Sequence, residues 1–271
     1  MIWNIDPVIM TWGPLTLGWY GLLFASGFLV GVNIMQWIYR REGRDPKELD
    51  ALLWFVLGGT IVGMRLVHCL FYDPAYFLAH PLEILEIWKG GYASHGGALG
   101  LLLAVYWYCR ASGRPSYLWL LDRLAIAAVI TGAFIRIGNF FKSEIIGVPT
   151  DSVFGVIFLQ VDAVPRHPVQ LYEAVAYIAI FVGMLWLYRS KRATADGGLT
   201  GTYLVAVFGA RFALEFFKTP QATYEAGNLI SVGQYLSLPF VLAGLALLVR
   251  ARYRQPEVAK ATINTPNKAA K

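Results

Sequence analysis

The stretch Leu118-Trp119-Leu120-Leu121-Asp122-Arg123-Leu124-Ala125-Ile126-Ala127-Ala128-Val129-Ile130-Thr131-Gly132-Ala133-Phe134-Ile135-Arg136-Ile137-Gly138 decides the architecture. Its charged residues, Asp122, Arg123 and Arg136, lie toward its two ends. A bilayer core about 30 Å thick needs roughly 20 apolar residues at about 1.5 Å each, so this run has the length of a transmembrane helix. Six further stretches read the same way: Leu15–Ile38, Leu52–Phe71, Ala93–Cys109, Val169–Tyr188, Gly201–Phe217 and Val232–Val249. Composition agrees: 57% of residues are hydrophobic, only 15% are charged, and mean hydropathy is +0.52. A soluble domain carries about 25% charged residues. A disordered chain, a soluble enzyme and a disulfide scaffold are therefore excluded together. The expected fold is an all-α polytopic membrane protein with seven transmembrane helices. The net charge of +6 does not imply nucleic acid, because in a bilayer the placement of charge matters more than its sum.

The loops carry the cations unevenly. One set holds Arg40, Arg41, Arg44, Lys47, Arg110, Arg114, Arg189, Lys191, Arg192, Arg250, Arg252, Arg254, Lys260, Lys268 and Lys271. The alternating set holds only Lys89, Lys142, Arg166 and Lys218. By the positive-inside rule the N-terminus lies outside and the C-terminus is cytoplasmic. The start lacks a basic region and its first apolar run is of full span length, so it does not read as a cleaved signal peptide. Residues 1–255 read as one integral membrane domain, with the outer loop 140–168 as a small extracytoplasmic head. Within it, the β-prone run Val153–Gln160 predicts some extended structure over the cavity mouth. Residues 256–271 read as a disordered cytoplasmic tail. The segment Tyr76–Lys89 is too short to span and reads as an interfacial or re-entrant helix. Cys69 and Cys109 fall at opposite membrane faces and are not expected to pair.

Ionisable residues inside a membrane are functional candidates by default. With this orientation Arg65, His68, His95, Arg136, Glu173, Arg211 and Glu215 all fall in the outer half, joined by Tyr20, Gln234 and Tyr235. Only Asp122 and Arg123 lie on the inner side, where capping and snorkelling explain them. This distribution describes one polar cavity open to the outer leaflet. A transporter would place its site near the midplane, and a channel would need polar lining through the inner half. Some of these residues also have a structural reading. Arg65 can snorkel. Arg211 and Glu215, at i and i+4, can neutralise each other. Gly58, Gly59 and Gly63, and Gly27 with Gly31, suit close helix packing.

Two stretches point to chemistry. In Gly90-Gly91-Tyr92-Ala93-Ser94-His95-Gly96-Gly97-Ala98-Leu99-Gly100, glycines on both sides of the histidine allow backbone to approach a ligand, and His95 can move a proton. In Arg136-Ile137-Gly138-Asn139-Phe140-Phe141-Lys142-Ser143-Glu144-Ile145-Ile146-Gly147, a guanidinium, an amide and a carboxylate fall close together. Arginine binds phosphate bidentately and keeps its charge. Asn139 can bond glycerol hydroxyls, and Glu144 can orient the arginine or a hydroxyl.

At these residues the chain resembles the prolipoprotein diacylglyceryl transferase family of the bacterial inner membrane. Ser94-His95-Gly96-Gly97 matches the family's His-Gly-Gly motif, and Arg136 to Gly147 matches its signature. Trp19-Tyr20-Gly21, Arg166-His167-Pro168 with Gln170-Leu171-Tyr172-Glu173, and Arg211 with Glu215 extend the resemblance from about Trp19 to Pro220. Ile135 and Lys142 stand where the family commonly has Gly and Asn.

The resemblance implies transfer of the sn-1,2-diacylglyceryl group from phosphatidylglycerol to the lipobox cysteine thiol of a prolipoprotein signal peptide. A thioether forms and glycerol phosphate leaves. It implies Arg136 and Arg211 as phosphate clamps, His95 as base or proton shuttle, and Tyr20 and Asn139 against the headgroup or thiol. Glu144 and Glu215 would orient the arginines, and Gly147 and His167 join the substrate-binding set. The partners implied are phosphatidylglycerol, the signal peptide and the bilayer, with no cofactor and no metal. A transporter or flippase of an anionic lipid is the alternative, since it would use the same arginines. An intramembrane protease fits less well, because Ser94 and His95 are adjacent on a helix and do not face each other.

Overall fold

A computed structural model describes residues 1–13, 15–87, 90, 91, 93–111, 113–190, 195–219 and 230–264. The chain is mostly helical, with eight α-helices among the described residues: α1 (Trp19–Arg41), α2 (Glu48–Val67), α3 (Pro74–Ala79), α4 (Ser94–Cys109), α5 (Tyr117–Phe141), α6 (Val169–Arg189), α7 (Gly198–Leu214) and α8 (Val232–Asn264). Short strands are β1 (Ile2–Trp3), β2 (Val8–Trp12), β3 (Leu15–Gly18), β4 (Val156–Phe158) and β5 (Pro165–Arg166). Among the described residues, six helical segments are long and apolar enough to cross a membrane: Trp19–Arg41, Glu48–Tyr72, Tyr117–Phe141, Val169–Arg189, Gly198–Phe217 and Val232–Arg254. The expectation of seven needs an adjustment at α4. Its 16 residues rise only roughly 24 Å, short of a bilayer core.

The chain divides into two compact units, Met35–Leu121 and the combination of Met1–Ile34 with Asp122–Lys271. In the unit Met35–Leu121, α2 and α4 lie against each other through glycine. A Cβ on Gly59 would stand 2.8 Å from the Gly100 carbonyl oxygen, one on Gly63 2.8 Å from Gly100 Cα, and one on Gly97 2.8 Å from Met64 Cγ. The helices therefore touch backbone to backbone, as in small-residue membrane interfaces. Gly59 and Gly63 behave as expected, whereas a Cβ on Gly58 would meet nothing within 4 Å. Arg65 is buried and does not snorkel. It donates from Nε to the Ile84 carbonyl at 3.0 Å, from Nη1 to Gly90 at 2.5 Å and from Nη2 to Glu83 at 2.5 Å, and lies over the Phe77 ring. The guanidinium thus ties the connection between α2 and α4 to α2. The helix expected over Tyr76–Lys89 is broken into α3 and a 3₁₀ turn at Pro81–Leu85. His80, before Pro81, leaves the helical region at φ −126°, in keeping with the steric bar that the proline ring sets against α conformation in the residue before it. Trp88 and Lys89 lie outside the described residues. Cys69 and Cys109 are both free thiols.

In the other unit, the first expected span begins four residues late. Leu15–Gly18 pairs antiparallel with β2 as a hairpin, with Gly13 at φ +59°, and helix starts only at Trp19. The loop after α5 carries two short strands. β4 pairs parallel with β1 and antiparallel with β5. Trp3, Phe140, Val156 and Phe158 form a buried cluster beneath this small sheet. Extended structure is therefore present within the run Val153–Gln160. Helices α1 and α5 approach at Gly27, whose carbonyl accepts from Thr131 Oγ1 at 3.0 Å. Helices α7 and α8 approach where Gly201 and Gly244 face each other's carbonyls. Asp122 caps α7 from α5: its carboxylate accepts from the backbone of Gly197 (2.8 Å) and Thr200 (2.7 Å) and from the Thr200 hydroxyl (2.7 Å). That satisfies orphan N–H groups and places a negative charge at a helix N-terminus. The capping role expected of Asp122 is served on a different helix from its own. Helix α8 opens on a capping box: Gln234 N–H donates to Ser231 Oγ (3.2 Å) and Ser231 N–H to Gln234 Oε1 (3.0 Å). Its backbone continues to Asn264. The tail expected from residue 256 thus falls partly on this helix and partly, at 265–271, outside the described residues.

Candidate active site

Arg136 lies in the last turns of α5, and Arg211 in the last turn of α7. Both line one cavity of about 180 Å³, together with Tyr177, Tyr203 and the apolar faces of α5 and α7. The two arginines expected to act as a pair therefore share one space.

The carboxylate beside Arg136 is not Glu144 or Glu215. It is Glu173 on α6, fully buried, with Oε2 3.0 Å from Arg136 Nε and Oε1 3.0 Å from Lys218 Nζ. Neither contact is aligned as a hydrogen bond, so the attraction is one of charge proximity. Lys218 also reaches Glu215 Oε2 at 2.9 Å. Arg211 interacts electrostatically with Tyr177, Glu173 and Glu215. Cations and carboxylates thus gather along α5, α6 and the end of α7, with Glu173 and Lys218 buried and Arg136, Arg211 and Glu215 partly buried. A buried ion pair needs such company, because each isolated charge would carry a desolvation cost of several kcal/mol.

Glu144 serves differently. It pairs with Lys142 (2.5 Å) and reaches Arg136 only through Asn139, whose amide lies 3.5 Å from Glu144 Oε2 and whose oxygen lies 3.4 Å from Arg136 Nη1. The backbone around it is strained: Ser143 has φ 54° and Ile145 φ 56°. Positive φ is costly for a β-branched residue, and such strain persists only where neighbours enforce it. Gln170 enforces it here. Its buried amide donates to the Glu144 carbonyl at 2.6 Å. One helix face of α6 therefore carries Gln170, which holds the strained turn, and Glu173, which holds Arg136. Lys142 Nζ lies 5.8 Å from the centre of the Tyr20 ring in the first turn of α1, and Tyr20 packs on Gly138.

Gly147 and His167 have packing roles. A Cβ on Gly147 would lie 2.6 Å from His167 Cβ and 2.7 Å from the Phe217 carbonyl oxygen. Its N–H donates to the His167 carbonyl (3.0 Å), and its own carbonyl accepts from Thr219 Oγ1 (2.9 Å). His167 Nδ1 contacts the Tyr172 hydroxyl at 3.2 Å, and its ring stands edge-on to Phe217. Arg166 grips Asp162 through Nε (3.0 Å) and Nη2 (2.5 Å), and this guanidinium holds the Asp162 carboxyl below the usual carboxylate range.

His95 belongs to the unit Met35–Leu121, exposed in the first turn of α4. The glycines that follow it do not open backbone to a ligand as expected. Gly96, Gly97 and Gly100 are occupied by contact with Gly63, Met64 and Gly59 of α2. Among the described residues no group of three or more His, Cys, Asp or Glu could hold a metal ion.

Lys218 and Glu173 are the site residues not assigned a role from sequence. Lys218 was legible as a cation three residues after Glu215 at a span end. Glu173 was legible as an intramembrane carboxylate, but its arginine partner was not.

The family model described as prolipoprotein diacylglyceryl transferase matches residues 7–250. A relative from Tolumonas auensis, named phosphatidylglycerol–prolipoprotein diacylglyceryl transferase, is 56% identical over 92% of this chain and 96% of its own. Relatives of the same name from Chloroherpeton thalassium (45% identical, 93% and 94% covered) and Porphyromonas gingivalis (43%, 92% and 94%) are similar across the same extent. With an arginine-lined cavity inside an apolar helical frame and this match along nearly its whole length, the chain belongs to the prolipoprotein diacylglyceryl transferase family.

Proposed function

We infer that the chain carries out the reaction for which its relatives are named: it transfers a diacylglyceryl group from phosphatidylglycerol to the cysteine thiol of a prolipoprotein. The observation that carries this reading is that Arg136 and Arg211 line the same cavity. The carbon–oxygen bond between the lipid glycerol and its phosphate breaks, and a carbon–sulfur bond forms. The thiol proton passes to a base, and glycerol phosphate leaves with the electron pair of the broken bond. A free thiol has a pKa of about 8.5 and benefits from a base. The departing phosphate gathers charge, and fixed cations in a low-dielectric cavity stabilise it as it does so.

In this reading Arg136 and Arg211 clamp the phosphate, and Asn139 and Tyr20 hold the headgroup or thiol. Glu144, Glu215, Gly147 and His167 shape the surrounding wall, and His95 moves the proton. Lipid and signal peptide enter from the bilayer. Transfer of labelled diacylglycerol from phosphatidylglycerol vesicles to a Cys-containing signal peptide tests the reaction, and a pure, folded chain that transfers nothing would refute it. His95→Ala is expected to lose turnover while the folded protein still binds phosphatidylglycerol. Normal turnover in that variant would remove His95 from the chemistry.

The reaction is placed at the outer leaflet of the bacterial inner membrane. Helix α4 is the seventh span in this reading, packed backbone-close against α2, and the β1–β4–β5 sheet covers the cavity mouth. The excess of loop cations on the C-terminal side supports a cytoplasmic C-terminus. A single cysteine at Lys268 in an otherwise Cys-free chain is expected to resist a membrane-impermeant thiol reagent in intact cells. Labelling there would reverse the orientation.

A further inference from the structure

We propose that Glu173 is a positioning residue that trims the charge of the site, so that a monoanionic phosphodiester is held and a dianionic phosphomonoester is let go. This rests on the transfer reading above. The network holds three cations, Arg136, Arg211 and the buried Lys218, and two carboxylates, the buried Glu173 and Glu215. Lys142 and Glu144 neutralise each other beside it. One positive charge is left, which matches the single negative charge of a phosphodiester lipid.

The reaction changes that match. Breaking the carbon–oxygen bond turns the diester into glycerol phosphate, a monoester that carries about −1.5 to −2 at neutral pH. In a low-dielectric site the second charge would bind tightly to any surplus of cations. Glu173 removes such a surplus from the place that matters. Its carboxylate lies 3.0 Å from Arg136 Nε on one side and 3.0 Å from Lys218 Nζ on the other. It is fully buried, so its repulsion of the product is screened much less than that of an exposed carboxylate. The same contact turns Arg136. The attraction of Glu173 keeps Nε on its side of the guanidinium, while Nη1 donates to Asn139 and the residue lines the cavity. Glu173 therefore aims the fork of Arg136 and lowers the retention of the product that the fork helps to form.

Two properties separate in the test. Glu173→Gln keeps the shape and removes the charge. Glu173→Asp keeps the charge and shortens the reach. Binding of added glycerol phosphate is measured on each purified variant by titration, alongside kcat and KM for phosphatidylglycerol. Glu173→Gln is expected to bind glycerol phosphate at least about tenfold more tightly, with a lower kcat and no rise in KM. Glu173→Asp is expected to bind it as the unmodified chain does, with reduced kcat from the misaimed arginine. Lys218→Met shifts the balance the other way and is expected to weaken binding at least about tenfold, which keeps the test decisive if Glu173→Gln does not fold. Glycerol phosphate binding unchanged in Glu173→Gln, or in Lys218→Met, would overturn the proposal. An unmodified chain that binds glycerol phosphate but transfers no lipid would instead overturn the functional reading and leave the charge balance standing.

Discussion

Arg136→Lys is expected to lower transfer about 10²-fold while the protein still folds. The guanidinium serves two directions at once. Its Nε faces Glu173 at 3.0 Å, its Nη1 lies 3.4 Å from Asn139, and the residue itself lines the cavity. A lysine ammonium is a single point. It can stay beside Glu173 and balance the buried charge, or it can face the cavity, but it cannot do both. Since the balance is kept in the first arrangement, stability should change little. Arg136→Ala differs: it leaves Glu173 with Lys218 alone, and breaking a buried pair costs about 3–5 kcal/mol. Thermal stability and transfer rate measured on both variants separate the two effects. A stable Arg136→Lys protein with the original turnover would show that the planar fork is not used on the phosphate.

The local part of the site was legible in the sequence because it is local. Arg136, Asn139 and Glu144 lie within one helix end and the turn that follows, so their grouping needed no tertiary information. The partner of Arg136 was not legible in this way. Glu173 comes from another helix, and only packing of α6 on α5 brings its carboxylate to the guanidinium. The spacing of Arg211 and Glu215 suggested that they neutralise each other. That attraction is present, and Lys218 joins it, because α7 ends at Leu214 and Glu215–Phe217 tighten into a 3₁₀ turn. In that geometry residues three apart eclipse, which brings Lys218 to Glu215 at 2.9 Å. Helix termini are where a uniform period of 3.6 misleads.

The same distinction runs through the fold. Apolar runs of span length located the long helices to within a few residues except at the end of α8, which continues as helix to Asn264 beyond its apolar run, because the bilayer imposes a length that sequence can be measured against only where the helix is apolar. The hairpin Val8–Gly18 was hidden for the converse reason. Leu15–Gly18 is apolar, and beside a long apolar helix it reads as part of that helix; only its pairing with β2 makes it a strand. The strained turn at Ser143 and Ile145 is also a tertiary product, enforced by Gln170 from α6.

Gly96→Val is expected to remove the folded protein from the membrane altogether. The glycines after His95 can be read in two ways, as room for a ligand or as room for a helix. The geometry favours the helix. A Cβ on Gly96 would fall inside the van der Waals surface of the Gly63 carbonyl and 2.6 Å from Val67 Cβ, and Gly63 itself faces Gly100 Cα at 2.8 Å from its own would-be Cβ. The obstacle is backbone on both sides, which cannot rotate aside as a side-chain tip can. Overpacking commonly costs about 1–3 kcal/mol. Here the two helices must separate along the whole Gly59–Gly63 and Gly96–Gly100 seam, so the cost lies at or above that range, against a total stability of only about 5–15 kcal/mol. Even Gly96→Ala should lower expression and thermal stability measurably. Gly58→Ala is the control, because its Cβ would meet nothing within 4 Å and alanine is the better helix former by about 1 kcal/mol. The ligand reading makes the opposite forecast, a Gly96→Ala protein of normal stability with impaired lipid binding. Melting temperature and phosphatidylglycerol binding, measured together on the three variants, separate the two readings: a stable Gly96→Ala protein that fails to bind lipid would return these glycines to the substrate.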